Sequence, residues 1–111
     1  MSVTPKTITA AQVAATATTY YTAPANTKSI IKKLTFTNTT AGALTVTVYL
    51  VPSGGTASAT NTLVSAQPIG AGECWECYQA AGQVLQAAGF LQALASAATS
   101  ISIQGAVAEV V

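Results

Sequence analysis

The stretch Ser29–Gly55 reads SIIKKLTFTNTTAGALTVTVYLVPSGG, and its alternation decides the fold. Its two halves, Ile30 to Thr37 and Leu44 to Val51, set large apolar side chains against Thr or Lys at period two and are rich in β-branched residues. Successive side chains of an extended backbone leave on opposite sides, so this pattern belongs to strands with one buried and one wetter face. Between the halves, Asn38-Thr39-Thr40-Ala41-Gly42 carries turn chemistry, since Asn and Gly tolerate left-handed backbone and Thr bonds its own main chain. A β-hairpin is expected, with Leu34 and Phe36 joining Leu44, Val46, Val48 and Leu50 on one core face. A lone hairpin is marginal in water, so the rest of the chain is expected to cover that face.

Working outward, residues 1–10 read as an extended arm in which Pro5 opposes helix, ahead of a β-sandwich domain spanning 11–111. Ordering of Met1 to Thr9 only on assembly is the expectation for that arm. Val13 to Thr22 is predicted as a strand because its Thr-rich run and paired tyrosines outweigh the helix preference of its alanines. Pro52 to Asn61 is a small-residue loop without core-forming side chains, expected to move unless a neighbour holds it. Thr62 to Ile69 resumes the strand pattern, Pro68 placing its end at an edge or bend. Glu73 to Tyr78 reads as a short strand and Gln83 to Leu85 as a turn of irregular or helical backbone. Val84, Ala88, Leu91, Ala95 and Ala98 recur at helical spacing, which sets a helix against a strand over Phe90–Ala98; Gly89 and the FLQAL run favour the strand. Ser100 to Ile103 and Ala106 to Val111 close the chain as extended segments, with Gly105 a bulge or kink between them. The sum is all-β: a β-sandwich of jelly-roll type, a single domain with about seven to nine short antiparallel strands.

The chain has 111 residues, enough for one core. Only 6 % of them are charged, against roughly 25 % in an ordinary soluble domain. A surface so poor in charge suits packing against copies or partners. Lys6, Lys28, Lys32 and Lys33 oppose Glu73, Glu76 and Glu109, with no Arg, Asp or His. So few cations cannot assemble the phosphate-neutralising face on which nucleic-acid affinity depends, and Lys32-Lys33 is expected to split across two strand faces. The N-terminus shows no apolar signal region, so synthesis in the cytoplasm without export by that route is expected. No run reaches the roughly 18 apolar residues of a spanning helix, and no membrane partner is expected.

Serine-type nucleophilic catalysis needs a base, nearly always His, and the chain has none. Glu73 and Glu76, three apart on a strand, point to opposite faces and read as solvated strand-end charges; Glu109 reads as a surface charge near the terminus. No catalytic set, cofactor or metal is therefore expected. Cys74 and Cys77 form a CxxC motif, but a redox site wants it opening a helix, zinc wants two further ligands, and strand side chains at that spacing diverge. Free structural thiols are the favoured reading, ahead of intersubunit bridging or metal and of redox catalysis. Tyr20, Tyr21, Trp75 and Tyr78 are the aromatic concentrations. They read as core-rim packing or, more sharply, as candidate interface anchors, because Trp and Tyr are enriched where proteins meet.

The run YYTAPANTKSIIKKLTFTNTTAGALTVTVYLVPSGG (Tyr20–Gly55), followed by LVSAQPIGAGECWEC and GQVLQAAGFLQALASAATSISIQG, resembles a group of small virion proteins of tailed bacteriophages and prophages. The resemblance rests on a YTAP-N-T segment, a K-hydrophobic-T-F-T-N-T strand, a TV-hydrophobic-LVPSGG strand and a late G-x-V-L-x-A-G segment in this order. It covers about nine tenths of the chain, and its motifs are structural. The usual GET turn stands here as GEC, so the cysteines are particular to this sequence. The resemblance implies a capsid decoration or cement protein, non-enzymatic and located in the virion. Its partners would be its own copies, as trimer or dimer, and the major capsid protein or another virion protein. The alternative is a small tail-, neck- or fibre-associated module, structural or glycan-binding.

Overall fold

Buried positions alternate with wetter ones over Ser29–Ile31, Leu34–Asn38 and Val46–Val48, with breaks at Lys32-Lys33 and Tyr49-Leu50, and the segments Lys28–Asn38 and Leu44–Val51 never pair. The computed structural model describes residues 3–111. Its strands are β1 (Val3–Gln12), β2 (Thr18–Thr22), β3 (Lys28–Asn38), β4 (Leu44–Val51), β5 (Thr62–Ile69), β6 (Cys74–Glu76), β7 (Val84–Leu85), β8 (Phe90–Ala95) and β9 (Ile101–Val110). A 3-10 turn, Ala59–Asn61, precedes β5. One sheet has five strands in the order β1-β9-β3-β6, with β7 also on β3; the other has four, in the order β2-β8-β4-β5. All pairings are antiparallel.

The expected hairpin is thus a crossover: β3 lies in one layer, β4 in the other, and residues 39–43 turn the corner between them. Leu34 and Phe36 on one layer and Val46 and Val48 on the other are all fully buried in one core, so the apolar sides meet across the sandwich instead of sharing a face. Asn38, itself 0 % exposed, holds the corner. Its Nδ2 donates to Gly42 O at 2.7 Å and Ile69 O at 3.0 Å, and its Oδ1 accepts from Thr40 N at 2.9 Å and Thr40 Oγ1 at 2.7 Å.

The pairings nest: β1 with β9, β2 with β8, β3 with β6 and β7, β4 with β5. A chain that doubles back on itself and then wraps into two layers in this way is a jelly roll, as expected. Val3–Ala10 of the expected arm belongs to β1, which pairs with β9; Met1 and Ser2 lie outside the described residues. The strand expected over Val13–Thr22 is shorter, because buried Val13 bonds Ile101 O and residues 13–17 carry the chain from one sheet to the other. Phe90–Ala95 is strand, its alternate residues Leu91, Ala93 and Ala95 all buried. Val84-Leu85 forms a strand instead of the expected turn, because Gln83 O and Gly82 N both bond the main chain of Ile31.

The two closing segments merge into β9 through Gly105. The irregularity expected there is carried by the neighbours: β1 shifts register between Ile8 and Ala11, and β3 between Ile31 and Lys33. A Cβ at position 105 would stand 2.5 Å from Lys33 O and 3.0 Å from Ile8 Cδ1, so glycine lets three strands close up. The β3 bulge also exposes both Lys32 and Lys33, where strict alternation would separate them.

Candidate interface surface

Three of the four candidate anchors turn inward. Register shifts between Thr19 and Tyr21 on β2, which lets the adjacent Tyr20 and Tyr21 both pack against the core. The Tyr20 hydroxyl accepts from Ala14 N at 2.8 Å. The Tyr21 hydroxyl donates to Glu109 Oε2 at 2.6 Å and lies 2.7 Å from Ser29 Oγ. A phenol has one hydrogen, so the Ser29 hydroxyl is the donor in the second bond. Burial first, then the bond to Glu109, push the Tyr21 pKa up to about 12. The cluster ties β2 of one sheet to β3 and β9 of the other. Glu109 is therefore half-buried and bonded, not a free surface charge. Its signal was parity: Ile101, Ile103, Val107 and Glu109 share one side of β9.

Trp75, opposite Phe36 in the ladder, stacks on it with ring centroids 6.2 Å apart and planes at 21°. Tyr78, beyond the end of β6, is 73 % exposed. The four aromatics do not converge: β2 and β6 are edge strands of different sheets, at opposite ends of the strand orders. The cysteines also part. Cys74 is exposed on β6, whereas Cys77 is fully buried in the core, where desolvation raises its thiol pKa. Glu76 lies 4.0 Å from Lys33, both well hydrated, a pair worth little stability. Among the described residues no group of His, Cys, Asp and Glu has the make-up to hold a metal ion. Two open depressions, of about 400 and 500 Å³, flank β9; the first sits over Thr7, Lys33, Thr35 and Gln104, the second between Thr27, Lys28, Gln86 and Val110.

The strand edges are blunted within the chain. β1 carries Pro5, Lys6 and a bulge; β2 has five residues and a register shift. β5 has two register shifts, Ala66 at φ 48° and Pro68. β6 and β7 are three and two residues long. Proline, lysine, bulges and short strands are the devices that stop sheets from growing edge to edge.

The two outer faces differ in charge. Lys6, Lys28, Lys32, Lys33, Glu76 and Glu109 lie on strands of the five-stranded sheet, and Glu73 O accepts from Asn38 N of β3. None of the residues of β2, β4, β5 and β8 is charged, nor any in the connections 13–17, 39–43, 52–61, 86–89 and 96–100. The outer side of that four-stranded sheet presents Thr22 beside Phe90, Thr19 and Gln92 beside Tyr49, and Leu94 beside Thr47. Tyr49, Phe90 and Leu94 are half-buried but outside the core cluster. The 52–61 loop is tied to itself through Asn61, whose Oδ1 accepts from Ser58 N and whose Nδ2 donates to Thr56 O.

No protein-family model and no curated protein matches the chain. Among solved structures, 97 % of the chain aligns with 32 % of a chain in the structure of infectious bursal disease virus, Gx strain, at 20 % identity and a TM-score of 0.58. A chain in the structure of the Gt strain aligns over 96 % of this one and 31 % of its own length, at 17 % identity and a TM-score of 0.46. The chain therefore spans about a third of the length of these solved chains, and what it shares with the first of them is the fold.

Proposed function

We propose that the chain is a non-enzymatic structural protein of a virus particle, acting as a decoration or cement protein on the head of a tailed bacteriophage. The observation that carries this reading is the jelly-roll fold, shared over 97 % of the chain with a chain from a virus structure. The low charge and the phage-like order of motifs support it from the sequence side. The protein would work by binding alone. Its partners are its own copies and the major capsid protein, and contacts repeated at many sites reinforce the shell because simultaneous engagement multiplies weak affinities. Tyr78, exposed beyond β6, is the anchor available to a partner, whereas Tyr20, Tyr21 and Trp75 shape the rim around it and the opposite edge. The virion is its location, reached by assembly in the host cytoplasm.

The test is copy number per particle, by gel densitometry of purified virions against the major capsid protein. One copy per capsid subunit, or a simple fraction of that, is expected. A few copies per particle would move the chain to the neck, tail or fibre, and absence from particles would refute the virion reading.

A further inference from the structure

A strand of a sandwich normally hides the side chains of at least one face, because they alternate. The outer half of β1 hides neither: Val3, Thr4, Pro5, Lys6 and Thr7 are all exposed, Val3 to 57 %. No other described strand has more than two exposed residues in succession. We infer that Val3–Ile8 is an exchangeable strand, which swings away from β9 about the bulge at residues 9–10 and pairs with β9 of a second copy while that copy's β1 does the same in return. Such exchange is a property of the chain itself, wherever the protein resides.

Three observations carry it. The segment is weakly held. With neither face of Val3–Thr7 packed, the ladder to β9 and the side chain of Ile8, 1 % exposed, are what fasten it. Ladder bonds beside water exchange for bonds to water at little net cost, and Pro5 has no N–H to give. The segment also has a pivot. Ile8 stands opposite Gly105 and Ala11 opposite Ile103, so residues 9 and 10 face Gln104 alone and already leave the regular ladder. Beyond the pivot, Val13 is fully buried and its N–H donates to Ile101 O at 2.7 Å, which keeps the rest of the chain in place. Last, the segment covers an edge that its own sequence fits. β9 is fixed on its other side by β3. Its stretch Ala106–Val110 has none of the proline, lysine and bulge that blunt β1, so once uncovered it accepts an incoming strand. The fit runs from Val3 opposite Val110 to Ile8 opposite Gly105, where the missing Cβ leaves room for Ile8 Cδ1. A second copy brings the same sequence, so exchange replaces each ladder with an identical one, a low-cost route to a dimer. A foreign strand would have to match that register and the Ile8 site anew.

Trypsin and disulfide trapping of the purified full chain test this. The chain has four lysines and no arginine, so trypsin reads β1 at Lys6 and the middle of β3 at Lys32 and Lys33. Under native conditions, cleavage after Lys6 is expected to run at least about tenfold faster than after Lys32 or Lys33, because a protease needs the backbone released and β1 opens locally. Val3→Cys with Val110→Cys in one chain, once oxidised, is expected to remove that excess, since residues directly opposite in an antiparallel ladder are within bridging distance. Exchange is read by mixing two singly substituted chains, Val3→Cys and Val110→Cys, each also carrying Cys74→Ser to remove the exposed native thiol. Diamide, which takes up the two thiol hydrogens as the disulfide forms, is expected to join unlike chains at least about fivefold more than in a control mixture of Val3→Cys with Val84→Cys, because only the first pair meets in the exchanged ladder. Thermal melts establish that each variant is folded, and Thr7→Cys with Ala106→Cys, another opposed pair, stands in if Val110→Cys does not fold. Lys6 as well protected as Lys32 and Lys33, or unlike chains joined no more than in the control, would overturn the inference. Exchange by a chain absent from particles would refute the virion reading alone. Abundance on particles without exchange would refute this inference alone.

Discussion

Asn38→Ala is the substitution that most directly tests how the two layers are joined. The Asn38 side chain makes four hydrogen bonds at 2.7 to 3.0 Å and is 0 % exposed. Alanine leaves the Ile69 carbonyl without that donor in a buried setting, at about 1–3 kcal/mol. Its other partners, Thr40 and Gly42, lie near the surface and regain water, so the remaining bonds add about 1 kcal/mol together. The expected loss is therefore about 2–4 kcal/mol, read by urea unfolding, or a fall in Tm of about 8–16 °C for a domain of this size. Thr39→Ala is the control: its exposed hydroxyl makes one bond, to Ser100 O at 2.9 Å, and its removal is expected to cost under about 1 kcal/mol. Asn38→Asp sharpens the test. It keeps the acceptor for Thr40 but aims a carboxylate at two carbonyl oxygens, so it is expected to be less stable than Asn38→Ala at neutral pH. It should recover as acid protonates the carboxyl and restores a donor. An Asn38→Ala variant no less stable than Thr39→Ala would refute the assignment of Asn38 as the corner's support.

Tyr21→Phe is expected to destabilise the protein by about 1–3 kcal/mol, because it leaves Ser29 and Glu109 without their shared partner. Tyr21 has its pKa raised in the folded state, so its stabilising effect is complete below pH 10 and is lost as pH rises through about 12. An ultraviolet titration should accordingly show a late-ionising phenol in the wild type that is lost in Tyr21→Phe. Gly105→Ala should cost about 1–3 kcal/mol by chemical denaturation, since the new methyl meets backbone at Lys33 that cannot swing aside. A thiol reagent should modify Cys74 in the folded protein and Cys77 only on unfolding; equal rates at the two would contradict the burial of Cys77.

The side of each strand was legible in the sequence, whereas the partner of each strand was not. Leu34, Phe36, Val46 and Val48 sit in the core because alternation fixes which side chains leave together. Alternation carries no information on which sheet a strand joins, and a five-residue link serves a hairpin or a crossover equally well. What decides is Asn38, whose partner Ile69 is far along the chain. Tyr20 and Tyr21 show the same limit in the candidate interface. Adjacent strand residues cannot both turn inward until a register shift intervenes, and only the pairing with β8 reveals it. The bulge that exposes both Lys32 and Lys33 is likewise set by β9. Glu109 was half legible: its parity marked it as inward, but its partner lies on β2, 88 residues earlier. The charge-free sheet was visible as a run of uncharged segments, yet its segments become a single face only once β2, β8, β4 and β5 are placed side by side.

The nested pairing also governs the order in which this chain can fold. β1 and β3 never touch in the ladder; each waits for β9 to come between them. In the other sheet β2 and β4 wait for β8 in the same way. Of the first four strands, none can pair with another, and β4 with β5 is the earliest ladder available to a growing chain. Closing long loops before non-local contacts repay them makes such topologies slow to fold. The β4–β5 pair is thus the natural seed, and β9, the latest of these nine strands in chain order, is the keystone that locks the five-stranded sheet.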